Sequence, residues 1–200
     1  MDVWKFGGTS VGSPENMRKV MKIIADGKQK LVVLSAMSGT TNALLDISAK
    51  LRVGHSGKAS ESISALEEKY GHVVEELYTR DETREKGGLI VEKTFGLLRS
   101  FLYKDFSDRE EKIAVAQGEL LSTRLFTLLM EEEGFAAQLL PALDFMRVDG
   151  DRIADLPAIR TLLSELMDNT PAAGYYITQG FICRNPEGEI DNLDRGGSDY

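Results

Sequence analysis

Cysteine is nearly missing from these 200 residues: Cys183 stands alone. No intrachain disulfide can form, and no cysteine-based zinc site can be assembled. Histidine is almost as scarce, with only His55 and His72, and neither has a second His or Cys at metal-ligand spacing. No stretch approaches the roughly 18 consecutive apolar residues of a membrane-spanning helix. The N-terminus lacks the basic-then-apolar order of a secretory signal. Basic side chains are in the minority, 24 Lys and Arg against 32 Asp and Glu, for a formal net charge of -8. A general nucleic-acid surface needs a basic face to displace phosphate counterions, and this balance does not supply one. Neither nucleic acid nor membrane is therefore an expected partner, and a reducing, cytoplasmic setting is the expectation. An anionic substrate stays possible, because a local lysine or arginine outweighs a distant negative surface.

What is present has the composition of an ordinary globular domain, 42% hydrophobic and 28% charged, and the length suffices to bury a core. Residues 2–6 read as a short buried strand ending at Gly7 and Gly8. Ser13, Pro14 and Glu15 open a helix as N-cap, first helical residue and first-turn acid. Met17, Val20, Met21 and Ile24 recur at helical spacing, and Gly27 closes the segment. The unbroken apolar run at 31–34 predicts a strand covered on both faces. A small-residue turn at 35–42 follows, with a helix from near Ala43. Strand, helix, strand, helix in this order means an α/β sheet with parallel strands.

Residues 54–112 differ. They hold no convincing strand, and 62–78 and 89–102 show helical periodicity, so a helical insertion is expected, broken at 54–57 and at Gly87-Gly88. A helix is predicted over 113–133, with 131–133 as its exposed acidic end. A strand at 136–140, a helix at 159–167, and strands at 175–179 and 181–183 leading into a turn at 185–188 complete the reading. The sequence stops at Tyr200, just after an Arg-Gly-Gly-Ser-Asp segment that resembles a helix start, so the chain is expected to be part of a longer protein.

Three turns carry the chemistry. Lys5-Phe6-Gly7-Gly8-Thr9-Ser10 joins a cation and two hydroxyls to glycines whose backbone N–H groups can approach an anion closely. Its order fits neither the Walker loop nor the G-x-G-x-x-G fingerprint, which makes a nicotinamide-dependent oxidoreductase a poor reading; a glycine turn with a lysine at a strand end is the plain alternative. Arg195-Gly196-Gly197-Ser198-Asp199 has the same ingredients, and its arginine can clamp a carboxylate or phosphate. A surface turn with a helix cap is the competing reading. Thr41, in the turn at 35–42, is a substrate donor or a helix cap. Glu119 would suit an ammonium group, although by composition alone it reads as a solvated glutamate.

Taken together, these residues resemble the aspartate kinases of the amino acid kinase family. K-F-G-G-T-S-V is present in full at 5–11, S-A-x-S-G-x-T-N matches 35–42, and G-E-L-x-S matches 118–122. P-A-L-D-F at 141–145, G-F-I at 180–182 and R-G-G-S-D-Y at 195–200 follow in the family's order. The resemblance implies a three-layer αβα sandwich with a mainly parallel central sheet and a helical insertion. It implies that residues 1–200 are the substrate-binding portion of the kinase domain, with the nucleotide-binding half and regulatory ACT domains beyond them.

The implied reaction moves the ATP γ-phosphoryl group to the side-chain carboxylate of L-aspartate, in lysine, threonine and methionine biosynthesis. Magnesium would bridge the phosphates, with no protein metal ligand named. Lys5 would neutralise the transferring phosphoryl group and Asp199 would position it. Gly7, Gly8, Thr9 and Gly197 would hold phosphate. Glu119 would take the substrate ammonium, Arg195 its α-carboxylate, and Thr41 and Ser198 its carboxylate oxygens, with Phe181 lining the pocket. A homodimer or higher homo-oligomer is implied for the full-length protein. The neighbouring alternatives are a kinase acting on glutamate or N-acetylglutamate and a non-catalytic aspartate-binding homologue. One departure stands out: Asp194 occupies a position where the family carries glycine, and weakened substrate or nucleotide binding is expected from its charge.

Overall fold

Alternation along the strands decides the architecture. The computed structural model describes residues 1–193. In it β1 (Asp2–Phe6), β2 (Lys30–Leu34), β3 (Ala137–Leu139) and β4 (Tyr175–Gln179) form one sheet in the order β1-β2-β4-β3. Every pairing in that sheet is parallel. Trp4, Val32, Leu34 and Ile177 point to one face, where they join the apolar side chains of α1 (Pro14–Ile24), α2 (Thr40–Arg52) and α5 (Asp108–Glu132). Leu31 and Tyr176 point to the other face and meet α6 (Ala142–Phe145) and α7 (Leu156–Asn169). Two helical layers around a parallel sheet make the expected three-layer sandwich.

The helix starts follow their caps. The Ser13 hydroxyl accepts from Asn16 N–H at 3.2 Å, and Pro14 occupies the first turn of α1. Ser107 and Glu110 form a reciprocal capping box, which starts α5 at Asp108, earlier than the expected 113. Helix α2 likewise begins at Thr40 rather than near Ala43, with Gly39 in the left-handed region as its cap. Much of α5 is apolar enough to cross a membrane by length and composition, but most of that stretch is buried inside the protein as a core helix.

The segment after α2 is helical, as predicted: α3 (Ser56–Leu77) and α4 (Asp81–Ser100) pack on each other, followed by a short 3-10 turn at Phe101–Tyr103. Two expectations fail here. Gly87 and Gly88 do not break the chain; α4 runs through both. Gly87 is there because a Cβ would meet the Tyr78 ring at 2.6 Å. The acidic end of α5 is not wholly exposed either. Glu132 is buried, and its Oε1 accepts from both the amide and the hydroxyl of Thr79, each at 2.7 Å. The turn at 185–188 stands, but it closes an antiparallel hairpin of β5 (Ile182–Arg184) and β6 (Ile190–Asn192), whose second strand the periodicity did not show.

Candidate functional site

Loops gather at the carboxyl ends of β1, β2 and β4, where ligands of open α/β sheets bind. They enclose an open cavity of ≈ 570 Å³. Gly8 and Thr9 contribute from the turn after β1, residues 35–39 with Thr41 and Asn42 from the turn after β2, and Phe181 from beyond β4; Glu119 of α5 completes the wall. A second cavity, ≈ 210 Å³, lies between the sheet and α7. Its side chains are apolar except for Thr178 and Gln179, so it offers no charged group to a polar metabolite.

The turn at 35–42 is the centre of the arrangement. Ser35 N–H donates to the Phe6 carbonyl at 3.1 Å, and Ser38 N–H donates to the Gly8 carbonyl at 3.1 Å. Two glycines permit the contact. A Cβ on Gly8 would meet the Ala36 carbonyl oxygen at 2.8 Å, and one on Gly118 would meet the Ala36 Cβ at 2.9 Å. Helix α5 therefore packs directly against the turn, and the Ser122 hydroxyl donates to the Ser35 carbonyl at 2.8 Å. The serine and glycine of the G-E-L-x-S element thus have structural work beside the glutamate.

That glutamate is not solvated. Glu119 is 3% exposed. Its Oε1 accepts from Ala36 N–H at 3.2 Å, while its Oε2 is buried with no hydrogen-bond partner. Burial pushes the carboxyl up to about 7, and the Ala36 amide only partly opposes that shift. An acceptor at the wall of a cavity, desolvated and short of donors, is matched to a cation that brings its own N–H groups.

Thr41 is half-buried in the second position of α2 and lines the cavity; the cap is Gly39, so the capping reading of Thr41 fails. Phe181 lines it too, and holds φ +66. A non-glycine residue costs about 1–2 kcal/mol in that region, so something in the surroundings holds it there. Leu193 N–H donates to its carbonyl at 2.7 Å. Lys5 is exposed at the end of β1, in register with Val33, which is in turn in register with Thr178. Lys5 and Gly7 lie outside the cavity wall, whereas Gly8 and Thr9 are in it. Asp194, Arg195, Gly197, Ser198 and Asp199 lie outside the described residues. Among the described residues, no group of three His, Cys, Asp or Glu side chains is placed to hold a metal ion.

Reasoning from sequence missed the Ala36 amide and the αL backbone of Phe181. A backbone donor leaves no trace in side-chain identity, and nothing in the chain marked residue 181 as left-handed.

Residues 2–200 match the model of the amino acid kinase family. The chain is 31% identical over 202 residues to lysine-sensitive aspartokinase 3 of Escherichia coli, covering 99% of this chain and 44% of that protein. It is 32% identical over 213 residues to the chloroplastic aspartokinase 2 of Arabidopsis thaliana, covering 98% and 38%. The structure of E. coli aspartokinase III in complex with aspartate and ADP superposes with a TM-score of 0.80 at 31% identity, over 100% of this chain and 45% of that one. The aspartate kinase of Clostridium acetobutylicum, 19% identical, shares the fold with a TM-score of 0.75 over 100% and 42%. The chain thus spans less than half the length of these relatives. With the family model matched over residues 2–200, and the turns after β1 and β2 meeting Glu119 around one cavity, this chain belongs to the amino acid kinase family.

Proposed function

We propose that this chain is the amino-acid-binding portion of an aspartate kinase, and that its cavity receives L-aspartate. The observation that carries the reading is Glu119: a buried carboxylate whose Oε2 has no partner, set in the wall of a cavity of ≈ 570 Å³. The ammonium of a free amino acid supplies what that oxygen lacks. An N-acetylated amino acid does not, because its nitrogen is uncharged and carries a single N–H.

In this reading Glu119 takes the ammonium, Thr41 donates to a carboxylate oxygen, and Phe181 lines the cavity. Arg195 and Ser198 hold the substrate's carboxylates. Lys5 neutralises charge on the transferring phosphoryl group, Asp199 positions Lys5, and the backbone donors of Gly7, Gly8 and Gly197, with Thr9, hold phosphate. The side-chain carboxylate of aspartate is already ionised at neutral pH. One of its oxygens bonds to the γ-phosphorus as the bond to the β–γ bridging oxygen breaks, giving 4-phospho-L-aspartate and ADP. No general base is required, and positioning and charge stabilisation carry the rate. Magnesium carried by the nucleotide would supply positive charge to its phosphates, with no described side chain assigned to hold it. The wider reading places the protein in lysine, threonine and methionine biosynthesis, as a cytoplasmic homo-oligomer.

Isothermal titration with L-aspartate, L-glutamate and N-acetyl-L-glutamate tests the substrate. Binding of L-aspartate alone is expected; preference for either of the others sinks the assignment. For a polypeptide of these 200 residues by themselves we expect weak ATP binding and little turnover in a coupled ADP-release assay.

A further inference from the structure

The helical insertion touches the turn at 35–42 from behind. Tyr70 of α3 is fully buried, and its hydroxyl lies 2.8 Å from the hydroxyl of Thr40. Its ring packs at a tilt on Phe95 of α4, centroids 6.0 Å apart. The neighbouring Lys69 donates from Nζ to the Ser38 carbonyl at 3.2 Å. Two consecutive residues of α3 therefore grip two residues of one turn.

Neither Lys69 nor Tyr70 lines the cavity, whereas that turn does. Two of its other bonds run to residues of the cavity wall: Ser38 N–H to Gly8, and Ala36 N–H to Glu119. Thr40 and Thr41 divide the work, the first buried against Tyr70 and the second facing the cavity. Gly39, at φ +81, gives the turn no side chain of its own to lean on.

We infer that Tyr70, with Lys69 beside it, is a positioning residue for the amino-acid cavity, holding the turn at 35–42 so that its amides stay on Glu119 and Gly8. The insertion is then part of the substrate site at one remove rather than an appendage. This inference rests on the proposed reading of the cavity for its effect on ligand binding, but not for its effect on the turn.

Tyr70→Phe deletes one oxygen from a buried ring and leaves the packing in place. Amide hydrogen exchange is measured first, without ligand. The Ser38 and Ala36 amides are expected to lose protection while those of β2 and β4 keep theirs. The dissociation constant for L-aspartate is then followed from pH 5.5 to 8.5. It is expected to rise about fivefold, the size of one lost neutral hydrogen bond. Its pH midpoint is expected to move upward, because a looser Ala36 amide favours ionised Glu119 less. Lys69→Met, on the surface, should shift the same readings in the same direction by less.

Unchanged protection at Ser38 and Ala36, or a loss spread evenly over the sheet, overturns the inference. So does an unaltered pH midpoint and affinity in a protein that binds L-aspartate. If the unsubstituted protein binds no L-aspartate, the substrate reading fails, and the exchange data alone decide the role of Tyr70.

Discussion

Helix α5 buries a glutamate near its middle and another at its end, and the two environments are opposites. Glu119 is 3% exposed and Glu132 is 6% exposed. Burial works to raise both carboxyls. At Glu132 it is overcome by the Thr79 hydroxyl and amide, with further help from Thr83 and the Arg80 amide, and the carboxyl is held below its ordinary value. These groups stand at the N-terminus of α4, where a negative charge is also favoured by the helix dipole. Glu132 Oε2 has no partner of normal hydrogen-bond geometry, but no cavity opens onto it among those found. At Glu119 burial outweighs the backbone amides of Ala36 and of Glu119 itself, and the carboxyl goes up to about 7 beside open space. Burial of a charge is therefore not the mark of a site. Unmet demand for donors at the wall of a cavity is.

Replacing each glutamate in turn tests this contrast most severely. Because the folded-state value of Glu119 lies above its ordinary 4.5, its ionisation costs nothing at acid pH, and the cost grows as pH rises through about 7. Glu119→Gln removes that cost, so stability against urea should increase by about 3 kcal/mol at pH 8 and hardly at all at pH 4. The same change should weaken L-aspartate binding about 100-fold. Lower stability at pH 8 would break the comparison at its root.

Glu132→Ala should do the reverse. It strands the Thr79 donors and costs about 1–3 kcal/mol in urea denaturation, with L-aspartate affinity unchanged in calorimetry. In the unsubstituted protein, affinity for L-aspartate should fall about tenfold per pH unit below about 7, because Glu119 must shed its proton before it meets an ammonium; a flat profile from pH 5 to 8 would contradict this.

The smallest effects sharpen the structural end of the contrast. Gly87 and Gly88 are consecutive in α4, but a Cβ on Gly87 strikes the Tyr78 ring, whereas one on Gly88 meets nothing within 4 Å. Tyr78 is buried, its hydroxyl bonded to the Leu125 carbonyl, and it adjoins the Thr79 that Glu132 holds. Gly87→Ala should therefore destabilise by about 1–2 kcal/mol through overpacking. Gly88→Ala should stabilise by up to about 1 kcal/mol through helix propensity. Thermal melts showing the same sign for both would remove Tyr78 from the argument.

Much of this was legible beforehand. The apolar run at 31–34 marked a covered strand, because a strand buried on both faces has no polar alternation to confuse it. The Ser13-Pro14-Glu15 start and the small-residue turns were equally plain, since capping and tight turns depend on neighbours in the chain. Gly8 and Gly118 could be seen as glycines but not as contacts; each is small because Ala36 approaches it from elsewhere in the chain. Gly87 was misread as a helix break for the same reason.

Local chemistry set the order of elements, their parallel pairing and the turns that would carry the site, since hydrophobic period, caps and glycines act over a few residues. Only the tertiary structure decided which of two buried glutamates is satisfied and which is left open, which threonine faces the cavity, and which tyrosine backs the turn. Those outcomes depend on donors brought from residues 30 to 83 positions away in the chain, and desolvation is a property of the assembled surroundings rather than of any residue alone.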